Sequence, residues 1–513
     1  MASGTRREGA PASPSAGPPS AARRGLGMLV VMTGVLISAV DSTIVVLALP
    51  AIQHDLAISL SAVIWVVVSY LLVVTVLATQ LGRLGDMFGR VRMYEVGFVI
   101  FVLGSLLCAL AWDAASLIGF RVLQGVGAAL VAANSGAIIS ELYPPAERGR
   151  AYGFNALGFS IGSVLGVLLG GVIVTYVSWR WIFWINVPIG VGALTLALRV
   201  LRDRGERTRR RLDPLGMITL GLGLFGVLWA MTALAARPLD ATQIGYLAGG
   251  IVLLAAFAVI ESRQHEPVLD LSLFRIPGVA SSLLASLFQG LGSFAVLFLV
   301  IMYLQGPRGL SPVSASLLML PGYLIGSAAG PYAGRLTDRL GTVIQATAGL
   351  AISAVALIIF AQLTTTSGLW LAPVGNTLLM TGGSFFYPAN SSAVMKASPP
   401  GRLGTASGVL RTFASVGMVF SFTTAVLVAA QSIPRGTAFA IFAGTTRLHG
   451  QLAAAFTSGL HSAFYTLTGI MALAAVLSAS RGRATSSDQT TRDQTTRDRT
   501  TRLGRLTYSS RQP

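Results

Sequence analysis

A chain of 513 residues with 53% hydrophobic and only 11% charged residues has too few charges to surround soluble domains, and its mean hydropathy of +0.71 places it in a bilayer. The net charge of +18 comes without the basic face, aromatic platforms or binding motif that nucleic acid requires, so no nucleic-acid partner is expected. A single cysteine, Cys108, excludes an intrachain disulfide, and His54, His265, His449 and His461 lack ligand spacing, so no metal site is expected.

In chain order, residues 1 to 25 are rich in Ala, Pro, Ser, Gly and Arg and predict a disordered cytoplasmic tail. They are no signal peptide, because the apolar stretch that follows is too long, contains Asp41 and runs into Pro50 without a cleavage pattern. Segments long enough to cross about 30 Å of hydrocarbon then recur between short polar breaks. Fourteen are predicted, at 27–52, 61–82, 94–112, 114–140, 151–176, 181–201, 215–235, 243–261, 278–304, 312–333, 342–362, 368–395, 404–430 and 462–480. Residues 481–513, with the near-repeat Asp488-Gln-Thr-Thr-Arg492-Asp493-Gln-Thr-Thr-Arg497, read as a second disordered cytoplasmic tail.

Charge supports this count. With the N-terminus in the cytoplasm, about 30 of the 37 basic residues fall on the cytoplasmic side. The largest cluster, Arg199 to Arg211, holds seven arginines that can also attract anionic lipid headgroups.

The chain also repeats itself. Gly82-Arg83-Leu-Gly85-Asp86-Met-Phe-Gly89-Arg90 returns about 250 residues later as Gly334-Arg335-Leu-Thr-Asp338-Arg-Leu-Gly341. Ala133-Asn134-Ser135 returns as Ala389-Asn390-Ser391, and Pro144-Pro145 with Arg148 as Pro399-Pro400 with Arg402, in the same order. Parallel repeats in a polytopic protein are a plan of secondary transporters, with the substrate site at the repeat interface. Two soluble-protein motifs lose their meaning in this setting. Ser160 of Gly158-Phe-Ser-Ile-Gly162 lies inside a continuous apolar helix, and Gly221-Leu-Gly-Leu-Phe-Gly226 follows no strand, so both read as helix packing.

Ionisable groups inside the spans remain. Asp41 lies near the middle of the first span, where a charged Asp costs roughly 2.5 to 3.5 kcal/mol. Arg121 in the fourth span lies at similar depth, on the order of 10 Å below the same surface, so the two are expected to pair. A fixed salt bridge is one reading; a proton-exchanging carboxylate tuned by its cation is the other. Arg411 sits close enough to the cytoplasmic side to snorkel, and Glu95, Glu141 and Glu261 sit near inner helix ends.

These residues carry a resemblance. Asp41-Ser-Thr-Ile-Val-Val46-Leu-Ala-Leu-Pro50, the hairpin Gly82 to Arg90, Arg121-Val-Leu-Gln124-Gly125-Val-Gly127 and Ser178-Trp-Arg-Trp-Ile-Phe183-Trp-Ile-Asn186-Val-Pro188 resemble the signatures of the major facilitator superfamily. In detail they are similar to its fourteen-span drug:proton antiporters, the multidrug and antibiotic exporters.

The resemblance implies an all-α membrane protein with two six-helix bundles, residues 26–201 and 263–480. They would be joined by a basic loop at 202–214 and two inserted helices within 215–262. It implies proton coupling by Asp41 and Arg121, and a gating hairpin of Gly82, Arg83, Asp86, Gly89 and Arg90 with Asp338 in the second copy. Gly162, Gly166, Gly170 and Gly171 match the fifth-helix antiporter motif, although Val167 replaces its proline; Val46 likewise replaces the usual asparagine of the first helix. Gln124, Gln289, Tyr323, Phe386 and Asn390 are candidates for the cargo wall.

The expected protein is not an enzyme. It is a monomeric exporter of hydrophobic or amphiphilic drugs in the cell membrane, with protons and the lipid bilayer as its other partners. It needs no cofactor, only a proton gradient. A metabolite, amino-acid or siderophore transporter of the same fold is the alternative, and a non-transporting sensor or scaffold a remote one.

Overall fold

The computed structural model describes residues 21–203, 212–236, 238–264, 267, 269, 271–276, 278–398, 403–431 and 453–481. The basic stretch 204–211, the second proline repeat at 399–402, His265, His449 and the near-repeat at 488–497 lie outside them. Among the described residues the regular structure is helical, with no strand.

The first half runs α1 (Ala21–Leu56), α2 (Leu60–Phe88), α3 (Arg90–Ala109), α4 (Ala114–Leu142), α5 (Pro145–Tyr176), α6 (Trp181–Trp184) and α7 (Asn186–Val200). An inserted pair follows, α8 (Pro214–Ala236) and α9 (Ala241–Arg263). The second half holds α10 (Val279–Ser293), α11 (Val296–Gln305), α12 (Pro312–Leu340), α13 (Thr342–Phe360), α14 (Leu371–Ala397), α15 (Leu403–Gln431) and α16 (Ala453–Arg481). Helices α6 and α7 form one broken span, as do α10 and α11. Thirteen described helices are long and apolar enough to cross a membrane. The fourteenth expected span is α14, whose Asn376, Ser384 and Asn390 lower its hydropathy while it packs against α12 and α13.

Several helices run past their expected ends, among them α2 to Phe88, α12 to Leu340 and α16, which starts at Ala453, and two extensions reach into the expected tails. Helix α1 begins at Ala21, inside the stretch expected to be disordered. Ala21 and Ala22 are strong helix formers, the Arg23 Nε donates to the Val200 carbonyl at 2.8 Å, and Arg24 meets Glu147 at 3.3 Å, which ties the first turn to the bundle. Helix α16 runs one residue past the expected end, and Arg481 is only 4% exposed. Polar caps set other ends: the Asp113 carboxylate accepts from the Ser116 N–H at 2.8 Å at the start of α4, and these bonds hold its carboxyl below the usual range.

Arg83, Arg90 and Arg92 of the hairpin, with Arg199 and Arg202 beside them, mark one end of the bundle as arginine-rich. One apolar core runs through both halves, joining Val45, Val67 and Phe183 to Phe298, Tyr303 and Phe422 and continuing in the second half to Val394 and Ala406. Towards the arginine-rich end the first half has a separate core of its own, with Val31, Phe98, Val131, Ile138 and Ala197.

Helix α5 records the same change. Between Tyr152 and Ile161 only Gly158 is buried, whereas from Gly162 to Gly171 no residue is exposed. At the far end α5 meets α12 across the two halves: Gly171 lies against Ser316 and the Pro312 carbonyl, and the Val313 N–H donates to Thr175 Oγ1 at 3.1 Å. The halves therefore meet at the far end through α5 and α12, while α5 is exposed towards the arginine-rich end. The inserted pair packs on itself through Gly223, Gly226 and Gly250, and α8 leans on α2 and α15.

Candidate functional site

The centre of the first half holds a polar network in which every member is buried. Arg121 Nη1 on α4 meets Asp41 Oδ2 on α1 at 2.7 Å, and neither side chain is more than 1% exposed. The same Nη1 donates to Gln124 Oε1 at 2.6 Å, and the Gln124 amide donates to Asp41 Oδ1 at 2.9 Å and to Ser105 Oγ on α3 at 2.8 Å. Arg121 Nε donates to the Val66 carbonyl of α2 at 3.0 Å, and its guanidinium lies 4.2 Å from the centre of the Tyr70 ring. Asn186, at the start of α7, adds a third donor to Asp41 at 3.3 Å.

Five helices thus meet in one network, in which the Asp41 carboxylate is held from α4 and α7. This answers the cost of burying charge, since the ion pair is supplied with hydrogen bonds from both sides. The expected Asp41 and Arg121 pair is present. Gln124, expected in the cargo wall, lies inside this network with no exposed surface. Asn186, Ser105 and Tyr70 had no assigned role in the sequence. The signals for Asn186 are its polarity within an apolar run and its place in the Ser178 to Pro188 motif, where the chain breaks between α6 and α7.

Three of the four α5 glycines, Gly162, Gly166 and Gly170, pack on α1 around Asp41. A Cβ on Gly162 would sit 2.6 Å from the Leu36 carbonyl, and one on Gly166 2.8 Å from that of Val40 and still closer to the Thr43 hydroxyl. Gly170 faces Ile44, and Gly171 reaches across to α12. Backbone therefore touches backbone along the segment of α1 that carries the carboxylate, and the same helix ends on the contact between the halves. Val167, in place of the family's proline, is fully buried in an uninterrupted helix.

The hairpin between α2 and α3 is braced within the first half. Arg90 meets Asp86 at 2.7 Å and Glu141 of α4 at 2.9 Å. Gly89 adopts φ 107°, and a Cβ there would strike the Asp203 carboxylate, which accepts from the Val91 N–H at 2.7 Å and caps α3. Gly85 is pressed against Asn134, whereas a Cβ on Gly82 would meet Ala133 at ordinary contact distance, 3.8 Å from its methyl. Arg83 leaves the half and donates to the Pro267 carbonyl ahead of α10. In the second copy Gly341 has φ 81° and open space beside it, and the side chain of Asp338 lies outside the described residues.

The remaining cargo-wall candidates are also buried. Asn390 donates to Ser286 Oγ at 2.7 Å and accepts from Arg481 at 2.7 Å. Gln289 donates to Ser293 Oγ at 3.2 Å. Phe386 is fully buried, edge-on to the exposed Tyr387 at 5.6 Å, and Tyr323 on α12 is 9% exposed. Among the described residues no cluster of three or more His, Cys, Asp or Glu is arranged to hold a metal ion.

A sequence profile described as the Major Facilitator Superfamily matches residues 31–422. The tetracenomycin C resistance and export protein of Streptomyces glaucescens is 32% identical over 404 residues, 78% of this chain and 74% of that protein. Multidrug resistance protein 3 of Bacillus subtilis is 32% identical over 78% of this chain and 77% of its own. The riboflavin transporter RibZ of Clostridioides difficile is 30% identical over 75% and 84%. Among solved structures, an inward-facing, unoccupied bacterial homologue of the human lysosomal transporter Spinster superposes with a TM-score of 0.65 at 18% identity, covering 91% of this chain and 98% of that one. The chain belongs to the major facilitator superfamily and is a multi-pass membrane transporter of small molecules, not an enzyme.

Proposed function

We propose that this protein exports hydrophobic or amphiphilic small molecules, antibiotics among them, in exchange for protons. It works as a monomer in the cell membrane, with both termini and the arginine-rich end in the cytoplasm and the proton gradient as its only energy source. The observation that carries this reading is the Asp41 carboxylate, buried at mid-span, held by three donors and packed through the α5 glycines onto the contact between the halves.

Ionised Asp41 holds Arg121 by Coulomb attraction in a low-dielectric interior. A proton on Asp41 removes that attraction and frees α1 to shift. Because α5 lies backbone to backbone on α1, the shift is passed to Gly171 and Thr175, where α5 meets α12. The described state is open to the cytoplasm in this reading, so cargo enters from that side or from the inner leaflet. Closure there, with opening outside, releases it, and the inward proton resets the cycle. Each charge moved across 100 mV is worth about 2.3 kcal/mol. The hairpin braces the cytoplasmic mouth through Asp86, Arg90 and Glu141.

Similarity to the resistance and export proteins supports the cargo class, and similarity to the riboflavin transporter supports a metabolite transporter as the second reading. Susceptibility of an efflux-deficient bacterium to hydrophobic antibiotics and dyes separates them. Resistance conferred by the wild type and lost in Asp41→Asn and Arg121→Ala at matched abundance supports drug export. No resistance from an abundant wild type supports the metabolite transporter.

A further inference from the structure

Arg121 and Arg411 both lie well inside spans, but their surroundings are opposite. Arg121 is buried on its carboxylate. Arg411 lies about eight residues, on the order of 12 Å, beyond the start of α15, is exposed, and makes no hydrogen bond or ion pair among the described residues. The sequence leaves it little choice of partner. From Val279 to Arg481 the chain contains one acidic residue, Asp338 at the hairpin, against nine Arg and Lys. The buried mid-span acid of the first half, Asp41, is already engaged.

The face of α15 that bears Arg411 is a cleft face. One turn to either side stand Ser407 and Ser415, exposed and half-buried, and Gly408 beside them has open space. Farther along the same face Phe422 is buried against Phe294 and Phe298 of its own half, and α15 also meets α2 of the first half. A face turned to lipid would stay exposed along its length and would be apolar. This one is polar and accessible near the start of α15 and buried farther along.

Building on the export reading, we propose that Arg411 is the docking point for an oxyanion on an amphiphilic molecule in the central cleft. That anion is the carboxylate or phenolate of the cargo, or the phosphate of a lipid that enters the cleft. The Ser407 and Ser415 hydroxyls stand one turn away on either side, and Met418 continues the wall towards the apolar core. An unpaired guanidinium at this depth is stabilised by such a group and selects against cationic cargo.

The test compares pyrenebutyrate with its methyl ester, which differ in charge and little in apolar body. Binding is measured by fluorescence on purified protein in phospholipid-free maltoside micelles. Wild type is expected to prefer the carboxylate, Arg411→Gln to lose at least tenfold in affinity for it while keeping that for the ester, and Arg411→Lys to retain most of the preference. If the partner is lipid, the probes bind alike and Arg411→Gln instead loses binding of added phosphatidylglycerol. Equal binding of both probes and of phosphatidylglycerol by wild type and Arg411→Gln overturns the assignment. Transport of the ester in proteoliposomes is followed separately. Its absence in wild type contradicts the export reading, while the binding comparison still decides Arg411.

Discussion

Asp41 on α1 and Arg121 on α4 form a 2.7 Å ion pair from which solvent is excluded on both sides. Gln124 bridges the two, accepting from the arginine and donating to the carboxylate, so the pair behaves as a unit. Breaking one partner of such a pair leaves a buried charge alone, at a cost of about 3 to 5 kcal/mol.

Arg121→Ala is therefore expected to unfold at lower temperature and to transport at least tenfold more slowly. Asp41→Asn keeps an acceptor for Arg121 and is expected to fold, but to lose the dependence of transport on the proton gradient. Thermal unfolding in detergent and gradient-driven transport, measured on the same preparations, separate the two effects.

Gly166→Val places branched carbons where the Val40 carbonyl and the Thr43 hydroxyl now lie. Overpacking of this kind costs about 1 to 3 kcal/mol and pushes α5 away from α1. Transport is expected to fall at least tenfold with Asp41 and Arg121 intact. Gly166→Ala adds a Cβ 2.8 Å from the Val40 carbonyl and is expected to reduce transport in the same direction by less.

The contact between Thr175 and Val313 reports closure of the far end. With Cys108 replaced by Ser, cysteines at 175 and 313 are expected to cross-link efficiently in the cargo-free protein. Gly171→Leu, which drives α5 off α12, should reduce that cross-linking by half or more.

Gly89→Ala is expected to cost about 1 to 2 kcal/mol, because φ 107° suits glycine and the added methyl strikes Asp203. Adding Asp203→Ala relieves the collision but not the backbone strain, and uncaps α3. The double variant should therefore remain below wild type in thermal unfolding.

Arg90→Lys should behave almost as Arg90→Ala. The guanidinium reaches Asp86 through Nε and Nη2 and Glu141 through Nη1, a fork that an ammonium cannot reproduce. Hydrogen exchange across residues 82–93 should rise in both variants.

Span positions and the depth match of Asp41 with Arg121 were legible in the sequence, because apolar length and residue count fix distance along a helix. Rotation about the helix axis was not. Gln124 looked like a cargo contact until tertiary packing turned it onto Asp41, and Asn186 reaches the same carboxylate only because the chain breaks before α7. The break between α10 and α11 falls at Phe294 and Ala295, directly after the Gly292-Ser293 pair. Ser421 of α15 accepts the freed Ala295 N–H at 2.9 Å, a partner that local sequence does not reveal. Asp203 was hidden in the charge of a basic loop, although it is what the Gly89 turn was shaped to receive.

Proton flux in proteoliposomes tests the account most directly. With a pH gradient preset and a pH-sensitive dye inside, addition of a hydrophobic drug that the wild type exports should dissipate the gradient, and Asp41→Asn should not respond. Drug transport that leaves the gradient intact, or a response unchanged in Asp41→Asn, would contradict proton exchange through the buried pair.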